Sequence, residues 1–156
     1  MQRSPEALAI TELILETFRL NGQLLEAGDR LTAPLGLTSA RWQILGAIET
    51  EGQSLTVAQI GRRMGLSRQA VQRIVNDLEA NGFVKLEENP DHKRAKLVVL
   101  TPSCLKTMRE LDEIQGAWAN ELSDALSETG LRRALKLMKE IRERCASIEE
   151  KYANRS

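Results

Sequence analysis

The spacing of apolar residues predicts helices at both ends of the chain and a mixed segment between them. Apolar residues recur at helical spacing from 5 to 31, which indicates one long helix. Thr38 or Ser39 can cap a second helix, and Gly52 marks its end. The stretches 102–126 and 127–152 carry apolar residues three and four positions apart, so we expect two more helices. In the first of these we expect the following side chains to be buried: Leu105, Met108, Leu111, Ile114, Trp118 and Leu122.

The stretch 56–82 has the pattern of two helices joined by a tight turn. Thr56 and Gln59 have the spacing of a capping box, Gly65 suits a left-handed helix end, and Ser67 can cap the second helix. Between 60 and 76 there are four arginines and no acidic residue. Such a helix can read base edges in a major groove, and the alternative is a solvated polar face. Its polar face consists of Arg68, Gln69, Gln72, Arg73 and Asn76.

After Gly82 the apolar period shortens to two, and the stretches 83–88 and 96–100 both alternate. A turn-rich, basic connection over 89–94 separates them, which predicts a β-hairpin. Residues 54–56 are long enough only for a bridging strand. A hairpin directly after a recognition-type helix is a wing, and its cationic tip suits a phosphate backbone or a minor groove. The expected fold class is α+β, mainly α: a winged helix-turn-helix with flanking N- and C-terminal helices.

The net charge of zero hides an uneven distribution along the chain. Residues 54–101 hold 8 basic and 5 acidic residues, whereas 1–53 hold 4 and 7, and 102–156 hold 10 of each. The basic excess therefore lies on the segment that carries the helix-turn-helix. The sequence has no apolar run near the ~18 residues that a membrane span needs, so we expect no transmembrane helix. Its N-terminus does not have the pattern of a signal peptide. With only two cysteines, the chain is expected in a reducing cytoplasm.

The chemistry-bearing residues do not form a catalytic pattern. We therefore expect neither an enzyme nor a cofactor. His92, the only histidine, lies in the wing and is insufficient for a metal site. Cys104 lies in the first turn of a helix, where the helix dipole can stabilise a thiolate. A cysteine-based redox regulator is thus one alternative function, although we favour the interpretation of Cys104 and Cys145 as buried small residues.

The apolar stripes of the terminal helices lie outside the winged core. A second copy of the chain could cover them, or the chain could fold back on itself. We favour a homodimer, because one recognition helix reads only about half of a specific site. This predicts three regions: an N-terminal dimerisation helix (1–36), a DNA-binding domain (37–101) and C-terminal dimerisation helices (102–156). The remaining alternative is a winged-helix module that binds proteins and not DNA.

Three segments carry a resemblance to a known family: LTSARWQILGAI (37–48), LSRQAVQRIVNDLEANGFV (66–84) and NPDHKRAKLVVLT (89–101). Together they resemble the MarR family of bacterial and archaeal transcription regulators, over about residues 10–150. The resemblance implies a triangular homodimer that binds a pseudo-palindromic operator on double-stranded DNA and in most cases represses. It also implies release by a small, often aromatic or phenolic effector, bound between the dimerisation helices and the DNA-binding lobe.

Positions that match the family's DNA-contacting residues lie on the second helix and in the wing. The family often has Asp-x-Arg in the wing, whereas this chain has His92-Lys93-Arg94 with the acid at Asp91. How the wing arginine is held therefore stays open. Arg62 and Arg63 could contact phosphate or be solvated, and Asp77 and Glu79 are expected to be ordinary polar positions. The expected DNA-binding residues are Ser67, Arg68, Gln69, Gln72, Arg73, Asn76, His92, Lys93, Arg94 and Lys96.

Candidates for an effector pocket lie on the inner sides of the first, second and fifth helices. They are apolar side chains with two polar neighbours, and the alternative is that they fill the core. The set comprises Phe18, Leu25, Trp42, Leu45 and Met108, with Arg41 or Thr38 as polar partners.

Overall fold

The computed structural model of the chain describes residues 2–92 and 94–153. It confirms the mainly helical α+β class. The elements in chain order are α1 (Pro5–Thr32), a short 3-10 helix (Ala33–Leu35), α2 (Ser39–Glu51), β1 (Leu55–Thr56), α3 (Val57–Met64), α4 (Arg68–Ala80), β2 (Val84–Glu87), β3 (Leu97–Leu100), α5 (Pro102–Leu122) and α6 (Glu128–Ala153). The chain forms two compact units that divide between Gln115 and Gly116, within α5.

Side-chain caps begin the helices of the winged segment where the sequence predicts them. Thr56 and Gln59 form a reciprocal capping box: the Gln59 amide donates to Thr56 Oγ1 at 3.3 Å, and the Thr56 amide donates to Gln59 Oε1 at 2.7 Å. Ser67 Oγ accepts the Ala70 amide at 3.2 Å and so caps α4. Each cap satisfies backbone N–H groups that have no partner within the helix. The start of α4 is therefore set by local chemistry.

The turn between α3 and α4 is closed by two glycines. Gly65 ends α3 in the left-handed conformation at φ 65°, which costs glycine little. Gly61 lies one turn earlier, and its carbonyl accepts the Leu66 amide at 2.9 Å. A Cβ atom on Gly61 would lie 2.8 Å from the Leu66 carbonyl oxygen. The chain can thus turn this tightly because residue 61 has no side chain.

The three strands form one antiparallel sheet in the order β1-β3-β2. Val98 pairs with Leu55 on one side and with Leu86 on the other, so β3 is the central strand. One face of α4 and the start of α5 share a core with the sheet and α2. The buried apolar residues are Leu37, Ile44, Leu45, Ile48, Leu55, Val57, Ile60, Val71, Val75, Leu78, Val84, Val98, Cys104, Met108 and Leu111.

The second unit begins at Gly116 and consists of the end of α5 and all of α6. Ser127 Oγ accepts the Gly130 amide at 3.1 Å and caps α6, as the sequence predicts. Within Glu128–Ala153 no side chain is buried. The apolar stripe predicted for α6 is therefore present but uncovered within one chain. None of the helices in the described ranges is long and apolar enough to span a membrane.

Three details of the helical prediction are wrong. α5 ends at Leu122 and not near 126, and Ala125 takes φ 62° in the turn that follows. Leu105 and Leu122, expected to be buried, are 39% and 54% exposed. Cys145 is exposed as well. Helical spacing identifies the apolar face of a helix, but it does not show whether the same chain covers that face.

The close approach at Gly61 predicts the effect of adding one methyl group. We expect Gly61→Ala to lower the free energy of unfolding by about 1–3 kcal/mol, because the new Cβ must push a backbone carbonyl aside. Gly46→Ala in α2 is the matched control: a Cβ there meets nothing within 4 Å. It should leave stability unchanged or raise it by up to about 1 kcal/mol. Urea unfolding followed by circular dichroism measures both, and equal effects of the two substitutions would contradict the close packing assigned to Gly61.

Candidate nucleic-acid interface

The polar face of α4 is open to solvent, whereas its opposite face is anchored in the core. Arg68, Gln69, Arg73 and Asn76 are exposed, and Gln72 is half-buried. Gln72 Nε2 donates to Asn76 Oδ1 at 2.7 Å, one helical turn away. This hydrogen bond aligns two amide side chains on the face that can meet a base edge. Ser67 is exposed too, although its hydroxyl is engaged in the helix cap.

The connection between β2 and β3 is a chain of tight turns. Asn89 Oδ1 accepts the Asp91 amide at 3.0 Å, and the His92 carbonyl accepts the Ala95 amide at 3.0 Å. His92, Arg94 and Lys96 are exposed on this connection. Lys93 lies outside the described residues. The wing therefore presents basic side chains on backbone that is held by its own hydrogen bonds.

The wing and α4 enclose a cleft of about 330 Å³. Arg68 and Gln72 reach it from α4, and Arg94 and Lys96 reach it from the wing. Thr56, Val57 and Ala58, at the start of α3, form part of its wall. Among the described residues that line the cleft, none is acidic. Residues separated by more than twenty positions in sequence thus converge on one basic groove.

Arg63 in α3 is engaged by another side chain of the protein. Its Nε and Nη2 donate to the two carboxylate oxygens of Glu51 at 2.7 and 2.9 Å. The hydrogen bond from Arg63 holds the pKa of Glu51 below its ordinary value. This pair links the end of α2 to the end of α3, an arrangement that neither interpretation of Arg63 from sequence included. Arg62, its neighbour, is exposed.

A second ion pair joins Arg41 of α2 to Asp77 of α4. Arg41 Nε donates to Asp77 Oδ2 at 2.7 Å, and Arg41 Nη1 donates to the Gly36 carbonyl at 3.1 Å. Sequence reasoning misses this pair, because it assigns Arg41 to an effector site and treats Asp77 as an ordinary polar position. Arg41 and Asp77 are 36 positions apart in sequence. Helical periodicity relates only residues a few positions apart, so it cannot predict this contact.

The remaining candidates for an effector site occupy different environments. Leu45 and Met108 are core residues, 0% and 4% exposed. Trp42 is half-buried and packs against that core. Phe18, by contrast, is 68% exposed on α1. Leu25 is exposed too, and so is Thr38, whose hydroxyl accepts the Arg41 amide as the cap of α2.

The two cysteines also differ from each other. Cys104 is buried, and burial, followed by the nearby charge of Glu49, raises the pKa of its thiol to about 11. The desolvation of Cys104 thus outweighs any effect of the helix dipole, and the thiol stays protonated at neutral pH. Cys145 is exposed, so its expected burial is wrong. In the part of the chain that the structure describes, no cluster of His, Cys, Asp and Glu could hold a metal ion.

These features define a winged helix-turn-helix protein with a basic cleft between α4 and the wing. Residues 35–95 match the model of the MarR family. An uncharacterized protein of Mycobacterium tuberculosis is 37% identical over 123 residues, which is 79% of this chain and 85% of that protein. The chain belongs to the MarR family. It is a DNA-binding transcription regulator and not an enzyme, since MarR-family proteins are transcription regulators.

Further relatives share parts of the chain or its fold. The transcriptional activatory protein BadR of Rhodopseudomonas palustris is 27% identical over 93 residues, 58% of this chain and 53% of BadR. A MarR mutant from E. coli complexed with operator DNA superposes with a TM-score of 0.68 at 24% identity, covering 82% of this chain and 94% of that one. CouR from Rhodococcus jostii, bound to p-coumaroyl-CoA, gives 0.71 at 20%, covering 79% and 86%. Both superpositions show the same fold.

The contrast between the cysteines predicts their reactivity. At about pH 8, a thiol with a pKa of about 11 is ionised in roughly one molecule in a thousand. Iodoacetamide should therefore leave Cys104 unlabelled in the folded protein, as measured by mass spectrometry. In denaturant both should react. Labelling of Cys104 at the same rate in the folded and the denatured protein would show that its thiol is accessible and ionised, contrary to its burial in the core.

Proposed function

We propose that the protein is a homodimeric repressor that binds a pseudo-palindromic operator and leaves it when a small effector binds. The observation that supports this most directly is the convergence of Arg68 and Gln72 from α4 with Arg94 and Lys96 from the wing. A helix that reads bases and a hairpin that holds the backbone must lie side by side to engage one stretch of duplex. The basic cleft between them has this arrangement.

The contacts divide by chemistry. Arginine can make two hydrogen bonds to guanine, and asparagine or glutamine can make two to adenine, so the polar face of α4 is assigned to base reading in the major groove. The wing cations are assigned to phosphate and to an adjacent minor groove. In this proposal the base-reading set is Ser67, Arg68, Gln69, Gln72, Arg73 and Asn76, and the wing set is His92, Lys93, Arg94 and Lys96.

Dimerisation is proposed through the helices at the two ends of the chain, in regions 1–36 and 102–156. On α1, Ile14 and Phe18 are 42% and 68% exposed. On α6, Leu135 and Met138 are 52% and 47% exposed. Soluble proteins rarely leave apolar side chains of this size in contiguous stripes. We assign these stripes to the interface with a second copy, which also supplies the second recognition helix that a palindromic site requires.

The effector is proposed to be a small aromatic or phenolic compound, a class supported by the p-coumaroyl-CoA bound to CouR. Within the candidate set, Phe18, Thr38 and Trp42 are accessible to such a molecule, whereas Leu45 and Met108 could only form the floor of its pocket. Arg41 would have to leave Asp77 to contact it. Operator titrations with a series of hydroxylated aromatic acids test this step, and unchanged affinity across the series would oppose it.

Repression is proposed because operator binding by itself can block transcription. BadR is named as an activator, so the sign of regulation needs its own measurement. A reporter fused to the promoter beside the selected operator should be more active in cells that lack the protein. Lower activity in those cells would assign the protein to activation instead.

Selection of binding sites from random DNA tests sequence-specific binding. We expect the protein to bind its selected site at least about a thousandfold more tightly than random duplex at the same salt concentration. Arg73→Ala should cost about 1–3 kcal/mol on that site and relax the preference at one base pair. Arg132→Ala, which removes an exposed arginine from α6, is the control and should change neither. Equal affinity for selected and random duplex would contradict sequence-specific binding.

Light scattering tests the dimer. We expect a mass twice the 17.4 kDa of one chain at micromolar concentration. Leu135→Glu should shift the population toward the monomer, because burying a carboxylate in an apolar interface is costly. Arg133→Glu places the same side chain two positions away, on the opposite side of α6, and should leave the dimer intact. A wild-type protein with the mass of one chain would rule out the homodimer.

A further inference from the structure

The start of α2 is a junction that links the recognition helix to the rest of the chain. The Arg41 guanidinium donates to Asp77 on α4 at 2.7 Å and to the Gly36 carbonyl, in the connection from α1, at 3.1 Å. At the residue that follows α4, the Asn81 side chain donates to the backbone carbonyl of Asp77 at 2.7 Å. The planar guanidinium of Arg41 thus holds the backbone at Gly36 and the helix α4 at the same time.

The other side of the same junction is fixed to α1. Asp29 Oδ1 accepts the Ser39 amide at 2.7 Å, so a side chain of α1 helps to cap α2. Gly28 lies so close that a Cβ on it would be 2.7 Å from Ser39 Oγ. Thr32 is fully buried there, and its hydroxyl donates to the Gly28 carbonyl at 2.8 Å. The end of α1 and the start of α2 therefore leave each other little room to move.

We infer that Arg41 is a positioning residue: through Asp77 it holds the recognition helix at the angle that specific reading of the operator requires. Arg41 thereby connects the placement of α4 to α1, the helix that we assign to the dimer interface. The part of this inference that concerns operator reading rests on the proposed function. A recognition surface must be held within about 0.5 Å to discriminate between bases, and one ion pair with fixed geometry can supply that restraint.

Because the Arg41–Asp77 pair is partly exposed, its role in positioning α4 can be tested without a large loss of protein stability. The side chains of Arg41 and Asp77 are 21% and 48% exposed. Ion pairs this open to solvent contribute little to the free energy of unfolding, because water screens the charges. Loss of the pair should therefore leave the protein folded. What changes is the freedom of α4 relative to α2, which affects base reading more than it affects attraction to phosphate.

The opposite charges of the two residues provide a discriminating experiment. If each residue acted on DNA only through its charge, Arg41→Ala would weaken binding to every duplex and Asp77→Ala would strengthen it. In both cases the ratio of operator affinity to random-duplex affinity would stay constant. If the pair positions α4, both substitutions must lower that ratio. The direction of the change in the ratio therefore separates the two mechanisms.

We expect Arg41→Ala and Asp77→Ala each to lower the ratio of operator to random-duplex affinity about three- to tenfold. The double variant should lower the ratio no further than either single one, since the same contact is lost. Arg41→Lys keeps the charge but lacks the planar fork, so random-duplex affinity should hold while the ratio falls. Arg30→Ala removes an arginine that pairs with Glu26 on α1 and should leave the ratio unchanged.

Hydrogen exchange tests the same inference without DNA. In Arg41→Ala, amides in α4 around Asp77 and in the connection at Gly36 should exchange about three- to tenfold faster, while those of the Arg30→Ala variant keep wild-type rates. A constant affinity ratio, additive effects in the double variant, or unchanged exchange would each overturn the positioning role. If an alanine variant fails to fold, Arg41→Lys and Asp77→Asn replace it. A wild-type protein without operator preference would overturn the proposed function, and the exchange rates would still decide the role of Arg41.

Discussion

The burial of one face of α4 is the constraint on which the exposed polar surface of the winged segment depends. Val71, Val75 and Leu78 are fully buried, and this fixes the rotation of the helix about its own axis. Because a helix repeats every ~3.6 residues, the same burial turns Gln69, Arg73 and Asn76 outward. The open polar face of α4 is thus a consequence of core packing. Wing residues join it only because the sheet packs against the same core.

Which charged side chains are free on the surface depends on ion pairing as well as on composition. Arg41 and Arg63 are held by Asp77 and Glu51 and tie α2 to α4 and α3. These two arginines are engaged by carboxylates within the lobe, whereas those on the open face of α4 and on the wing are exposed. A net charge of zero is therefore compatible with a basic surface, since many charges are engaged with one another.

Much of the fold follows from local chemistry. The capping box at Thr56, the cap at Ser67 and the left-handed Gly65 specify the helix-turn-helix from adjacent residues alone. Alternation in 83–88 and 96–100 specifies the hairpin. The polar residues of α4 follow from helical spacing in the same way. Their role in DNA reading stays a prediction, as do the wing contacts and the effector site.

The exposure of helix faces and the pairing of charged side chains depend on contacts between distant residues, so only the tertiary structure decided them. Helical spacing shows that α6 has an apolar face, but not that this face stays open within one chain, and for this reason the burial expected for Cys145 is wrong. The ion pair between Arg41 and Asp77 joins α2 to α4, and the sequence pattern of neither helix predicts it. A sequence by itself determines where helices begin and which faces are apolar, because those depend on neighbours along the chain. Which charged side chains meet depends on how the helices pack, and only the folded chain decides that.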